Sequence, residues 1–242
     1  MDIIHLILSV MAALVALTIH EFAHGYVAYK LGDDTAKSQG RLTLNPIHHL
    51  DPIGALCMVL FHFGWAKPVP IDPRNFKNPR KGFAISALAG PATNLVLGFF
   101  TAFFYLLCLS TFKESESLFL TNLKVNIILF LLYFFLINIG LGIFNLIPVP
   151  PFDGSRILNV LLPKKLYFKV MKYEKKIYWG VIAWLFLGQY VYYAFLSIPF
   201  IANTPVLSGI VRVFSLSDML SDAINAIANL TLRFWRLIPM LR

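Results

Sequence analysis

Charge is scarce in this 242-residue chain, of which 14% is Asp, Glu, Lys or Arg, where soluble domains carry about a quarter. Hydrophobic residues make up 58% and mean hydropathy is positive, so the sequence reads as an integral membrane protein. Cysteine is as rare. Cys57 and Cys108 support neither a disulfide framework nor a cysteine zinc site. A basic stretch ahead of the first apolar run is missing too, with Asp2 the one early charge, so a cleaved signal peptide is not expected. Acidic residues are outnumbered 12 to 21 by Lys and Arg, giving a net charge of +9. The basic residues lie in short loops between apolar runs, not in an aromatic-interleaved patch. That argues against nucleic acid and makes them topology markers.

Several apolar runs are long enough to cross a bilayer, and the first carries His20-Glu21-Phe22-Ala23-His24. Residues four apart share a helix face, so His20 and His24 can offer two imidazole nitrogens to one zinc ion with Glu21 beside it. A chain with six His and four Glu yields such an H-E-x-x-H match by chance about 0.002 times. The bland alternative is a pair of histidines hydrogen-bonded in a helical interface. Against it, an ionised carboxylate at mid-bilayer costs about 2.5–3.5 kcal/mol on insertion scales, which marks Glu21 as functional.

Residues 3–31 are expected as the first span, about 43 Å long, stopped by Gly32-Asp33-Asp34. Residues 33–81 change character, with proline-broken extended pieces at Arg41-Leu42-Thr43-Leu44 and Lys67-Pro68-Val69-Pro70-Ile71. Between them the apolar stretch Pro52 to Trp65 is short and reads as re-entrant or interfacial. Both its flanks are basic: Lys30, Lys37 and Arg41 precede it, and Lys67, Arg74, Lys77, Arg80 and Lys81 follow. The positive-inside rule then puts both flanks in the cytoplasm and the N-terminus outside.

Further spans are expected at 83–111, 125–147 and 177–200. A loop carrying Lys113, Glu114 and Glu116 lies outside, and the lysine-rich stretch Pro163 to Lys176 lies in the cytoplasm. Residues 217–238 read as an interfacial amphipathic helix that leaves room for a last short span. Residues 1–165 form the core and 166–242 a C-terminal membrane region. Within the second span Gly90-Pro91-Ala92-Thr93-Asn94 is either a packing kink or a way to aim Asn94 at the site. The third span ends in Pro148-Val149-Pro150-Pro151-Phe152-Asp153-Gly154, where the helix must unwind. Unwound backbone at membrane depth is tolerated where it is buried or lines a wet cavity. Asp153 sits on that break and is the best third ligand, unless Asp153-Gly154 is a plain surface turn. Two other readings stay open: a non-proteolytic membrane protein using the same three ligands for metal transport or as a binding scaffold, and a peptidase with a Glu third ligand. The second has only Glu114, Glu116 and Glu174 to draw on, all in charged loops.

The sequence closely resembles the site-2 proteases, the intramembrane zinc metallopeptidases of peptidase family M50, most of all compact bacterial and archaeal members lacking PDZ and CBS domains. The resemblance rests on His20-Glu21-x-x-His24, Gly40-Arg41-Leu42-Thr43-Leu44-Asn45-Pro46, Gly64-Trp65-Ala66-Lys67-Pro68-Val69-Pro70, Gly90-Pro91-x-x-Asn94 and Asn145-x-x-Pro148-x-Pro150-x-x-Asp153-Gly154, in family order. It implies an all-α polytopic membrane protein of about four to six transmembrane helices. A small membrane-embedded β-structure and a re-entrant segment would lie between the first and second core helices. It further implies one Zn2+ per chain on His20, His24 and Asp153, Glu21 as catalytic carboxylate, and Asn145 and Asn94 near the transition state. Arg41, Leu42, Thr43, Leu44, Lys67 and Val69 would pair with an unwound transmembrane substrate. The setting would be the cell membrane, with the active site opening toward the cytoplasm.

Overall fold

The computed structural model describes residues 3–61, 65–112, 117–212 and 215–241. The expected external loop at Lys113, Glu114 and Glu116 lies outside these, as does part of the 52–65 stretch. Ten α-helices are present among the described residues. In chain order they are α1 (Ile3–Lys30), α2 (Thr35–Ser38), α3 (Pro52–Phe61), α4 (Pro79–Ser110), α5 (Leu118–Asn145), α6 (Gly154–Leu161), α7 (Lys164–Leu196), α8 (Pro199–Ala202), α9 (Pro205–Val211) and α10 (Leu216–Trp235).

Helices α1, α4 and α5 are each long and apolar enough to cross a membrane. They pack together as the central bundle. Their outward faces carry Ile7, Met11, Val15, Phe100, Phe104 and Ile127 exposed, a surface suited to lipid rather than water. Helix α1 stops where the sequence says it should. Gly32 takes a left-handed φ of 107°, and the N–H of Asp33 bonds back to the carbonyl of Ala28 at 3.0 Å, closing the last turn. Helix α4 begins with Pro79 in its first turn behind Asn78, whose side chain accepts from the Lys81 N–H.

Two expectations change and a third element gains a partner. First, no strand forms among the described residues. The expected β-structure shrinks to one isolated antiparallel bridge, Leu50 with Ala66. Prolines at 46, 52, 68 and 70 remove the ladder donors a sheet needs. The Lys67 N–H bonds the His49 carbonyl within that bridge, and the Val69 N–H bonds Glu21 instead of a strand. Second, α7 runs unbroken through the lysine-rich stretch and bends by 50° between its halves, counting as a fourth span only if both halves are taken as one. Lysine is a good helix former, and no proline interrupts residues 164–196. Third, α10 lays one face on the bundle while Met219, Ile227, Leu230 and Phe234 stay exposed. Ala228 joins Ala102, Phe135 and Ile139 in the buried core, Ile224, Leu232 and Trp235 pack around it, and Trp235 Nε1 donates to the Phe99 carbonyl at 2.7 Å. The C-terminal region therefore leans on the core.

After α5 the chain breaks and folds back, and glycine makes the fold-back possible. A Cβ on Gly154 would lie 2.5 Å from the Ile147 carbonyl oxygen and closer still to that of Leu146. Phe152 is buried against Phe144 with ring centroids 4.4 Å apart. Asp153, held between these two anchors, is turned toward α1.

Candidate metal centre

His20 and His24 lie one turn apart on α1, both nearly fully buried, on the face that meets α4. Their rings are pinned from behind. His24 Nδ1 donates to the backbone carbonyl of Ser86 at 2.7 Å, and His20 Nδ1 meets Asn94 Oδ1 at 2.5 Å. Each ring thereby keeps its proton on Nδ1 and turns the Nε2 lone pair inward. Gly90 makes the room. A Cβ there would stand 2.6 Å from His24 Cε1 and 2.7 Å from His20 Cε1.

Asp153 Oδ2 lies 3.2 Å from His20 Nε2 and 3.2 Å from His24 Nε2. The two Nε2 atoms are 3.0 Å apart. With both rings in that tautomer three electron-pair donors converge on one point, an arrangement suited to a cation. Around a tetrahedral zinc with bonds of about 2.0–2.1 Å, neighbouring donors stand about 3.3 Å apart. The observed edges fit that face closely. The Asp153 side chain remains 24% exposed, so the cluster has an open side, as a catalytic rather than a structural site requires.

Glu21 follows His20 but is held by a different element. Its Oε2 accepts from the Val69 N–H at 2.8 Å. Val69 belongs to an extended strap, residues 67–72, lying across α1 with Val69 against Gly25. The strap is clamped at both ends. At one end Arg41 Nη2 donates to the carbonyls of Lys67 at 2.8 Å and Pro68 at 3.2 Å. At the other, the Asp72 N–H donates to Asp33 Oδ2 at 2.8 Å. Asp33 is fully buried, and its second oxygen accepts from Thr35 and, at 2.7 Å, from Asn75 Nδ2. Burial works to raise the Asp33 pKa. The hydrogen bonds from Thr35, Asn75 and the Asp72 backbone outweigh it and hold the carboxyl below its ordinary value. Asp72, beside the Arg74 guanidinium, is held down to about 2.

The structure therefore brings His20, His24, Asp153 and Asn94 together, and separately joins Glu21, Val69, Lys67 and Arg41. Asn94 is fully buried behind His20, so it faces the back of a candidate ligand and not a substrate. Arg41 spends its guanidinium on the strap. Leu42 packs toward Gly25, the Thr43 carbonyl accepts from His49, and Leu44 is exposed. Asn145 Nδ2 donates to the Leu141 carbonyl of its own helix at 3.1 Å. The sequence reading gave no site role to Asp33, Ser86, Gly90 or Asn138. An amide in the middle of an apolar helix was a readable signal for Asn138. The contribution of Ser86, a backbone carbonyl, carries no sequence signal.

Known proteins match this chain over the same region. The profile of peptidase family M50 matches residues 8–188. The chain is 42% identical over 193 residues to the Bacillus subtilis protein YwhC, which its name assigns to the zinc metalloproteases; the match covers 78% of this chain and 85% of that one. It is 31% identical over 159 residues to zinc metalloprotease MJ0392 of Methanocaldococcus jannaschii, covering 65% of this chain and 35% of that longer one. No solved structure matches. The chain belongs to peptidase family M50 and is a zinc metalloprotease of membrane helices.

Proposed function

We propose that this protein is an intramembrane protease that hydrolyses peptide bonds within or near transmembrane segments of other membrane proteins, in regulated intramembrane proteolysis. His20, His24 and Asp153 hold the zinc and Glu21 is the general base. The observation that carries the reading is the donor triangle with edges of 3.0–3.2 Å, formed on a helix apolar enough to span a bilayer. Zinc bound there supplies a Lewis acid for the scissile carbonyl and a water acidified toward neutral pH.

The chain's own groups do the rest. The Val69 N–H fixes Glu21 Oε2 and leaves Oε1 to take the proton of the attacking water and return it to the leaving amine. An unwound substrate lies extended alongside the strap, residues 67–71, offering its N–H groups to strap carbonyls, since Pro68 and Pro70 carry no N–H and those of Lys67 and Val69 are already bonded. Clustered Lys and Arg around the 30–81 segment favour a cell-membrane topology with this face in the cytoplasm and the N-terminus outside.

The test compares the membrane proteomes of cells carrying the wild-type and Glu21→Gln proteins. Transmembrane substrates are expected to be shortened in the wild type alone, with zinc present in both proteins. Equal cleavage in both would remove Glu21 from the mechanism.

A further inference from the structure

Two amides stand behind His20, inside a bundle whose outer faces are apolar. Asn94 on α4 and Asn138 on α5 are both fully buried, where each polar group needs a partner within the protein. They form a chain of hydrogen bonds. Asn138 Nδ2 donates to the Phe134 carbonyl at 2.7 Å. Asn94 Nδ2 donates to Asn138 Oδ1 at 2.7 Å, and Asn94 Oδ1 meets His20 Nδ1 at 2.5 Å.

The direction of this chain is set at its far end. A backbone carbonyl only accepts, so Asn138 must turn its NH2 toward Phe134 and its oxygen toward Asn94. Asn94 must then offer its NH2 to Asn138 and its oxygen to His20. The Ala16 carbonyl, 3.4 Å from Asn94 Nδ2, is a second pure acceptor that agrees with this orientation. An acceptor at Nδ1 keeps the His20 proton there and leaves Nε2 as a lone pair. We infer that Asn138 is a positioning residue for His20, fixing through Asn94 the one tautomer in which His20 can bind a metal.

The inference rests on the reading of His20 as a zinc ligand. His24 needs no such relay, because its Nδ1 bonds a backbone carbonyl directly. One of the two imidazoles therefore depends on a third helix, α5, the same helix whose broken end carries Asp153. Without Asn138, the Asn94 amide keeps only the long bond to Ala16 and can turn over. Its NH2 would then face Nδ1, the His20 proton would move to Nε2, and the lone pair aimed at Asp153 and His24 would be lost.

The test measures zinc dissociation constants by chelator competition on the purified full-length chain. It also records the His20 tautomer in the zinc-free protein by 15N solid-state NMR. Asn138→Leu is expected to weaken zinc binding by about 10- to 100-fold and to populate the Nε2–H tautomer. Asn138→Ala, which removes the amide without adding bulk, should do the same. Asn94→Asp carries two acceptors and has no orientation to lose, so Asn94→Asp combined with Asn138→Leu should recover the affinity of Asn94→Asp alone. A packing role for Asn138 predicts an equal loss in both backgrounds. Wild-type affinity in Asn138→Leu and Asn138→Ala, or an uncorrected loss in the double variant, overturns the inference. Failure of the underlying reading shows separately, because His20→Ala would then leave zinc content unchanged.

Discussion

Gly90→Ala is a one-methyl test of whether the two imidazoles stand where zinc needs them. The added Cβ would sit 2.7 Å from His20 Cε1 and 2.6 Å from His24 Cε1, and nearer still to His24 Nε2. Carbon contacts are comfortable at about 3.5–4.0 Å, so each ring would have to retreat by roughly 1 Å. Neither ring has slack behind it: the Ser86 carbonyl stops His24 at 2.7 Å, and Asn94 stops His20 at 2.5 Å. Metal bonds tolerate about 0.2 Å of displacement, so the donor triangle cannot close on zinc after such a shift. Zinc affinity is expected to fall at least as far as second-sphere changes lower it, about 100-fold, and overpacking should cost about 1–3 kcal/mol of stability. Gly98→Ala is the control. Its Cβ would meet the Ile139 side chain at 2.8 Å and neither imidazole, so it should disturb packing and lower zinc affinity far less than Gly90→Ala. Zinc content by elemental analysis and affinity by chelator competition are read for both. Wild-type affinity in Gly90→Ala, or equal losses in the two variants, would refute the reasoning.

Glu21→Gln should retain stoichiometric zinc and lose proteolysis by about 100-fold or more, whereas His24→Ala and Asp153→Asn should lose the metal; elemental analysis beside a cleavage assay separates the two classes. Arg41→Ala removes two charge-assisted bonds to the strap, about 1.5–3 kcal/mol of anchoring. It should lower kcat with zinc unchanged, while a substrate-contact role would appear in KM. The Asp33 pKa is depressed in the folded protein, so its stabilisation is complete above the unfolded value of about 3.9 and is lost as pH falls through the lower folded value. The melting temperature of the wild type should therefore drop below about pH 4 more steeply than that of Asp33→Asn. That variant should be less stable near neutrality by about 1–3 kcal/mol, because its NH2 would oppose a backbone donor. Parallel curves would exclude Asp33 as the anchor.

The metal cluster was legible because its pattern is geometric: four-residue spacing places His20 and His24 on one face, and consecutive prolines after Asn145 dictate a break that frees Asp153. The strap was only half legible. Its extended backbone follows from Pro68 and Pro70, but the partner of the Val69 N–H depends on how a loop 48 residues away in sequence lies over α1, which no periodicity encodes. Asn94 showed itself as a polar residue in an apolar helix. Whether it faced inward to a substrate or backed a histidine depended on the α1–α4 crossing. For α10 the amphipathic character was visible, yet such a helix fits a membrane interface and a helix bundle equally well. The α7 lysines marked a cytoplasmic stretch by charge, and their helix propensity, with no breaker nearby, carried the helix through them.

Zinc X-ray absorption of Asp153→Cys, compared with the wild type, goes straight to the ligand set. The wild type should show only nitrogen and oxygen neighbours at about 2.0–2.2 Å with imidazole scattering. The variant should either gain a sulfur neighbour at about 2.3 Å or lose its zinc. A variant that keeps full zinc with an unchanged nitrogen and oxygen shell would show that the metal is not held by residue 153.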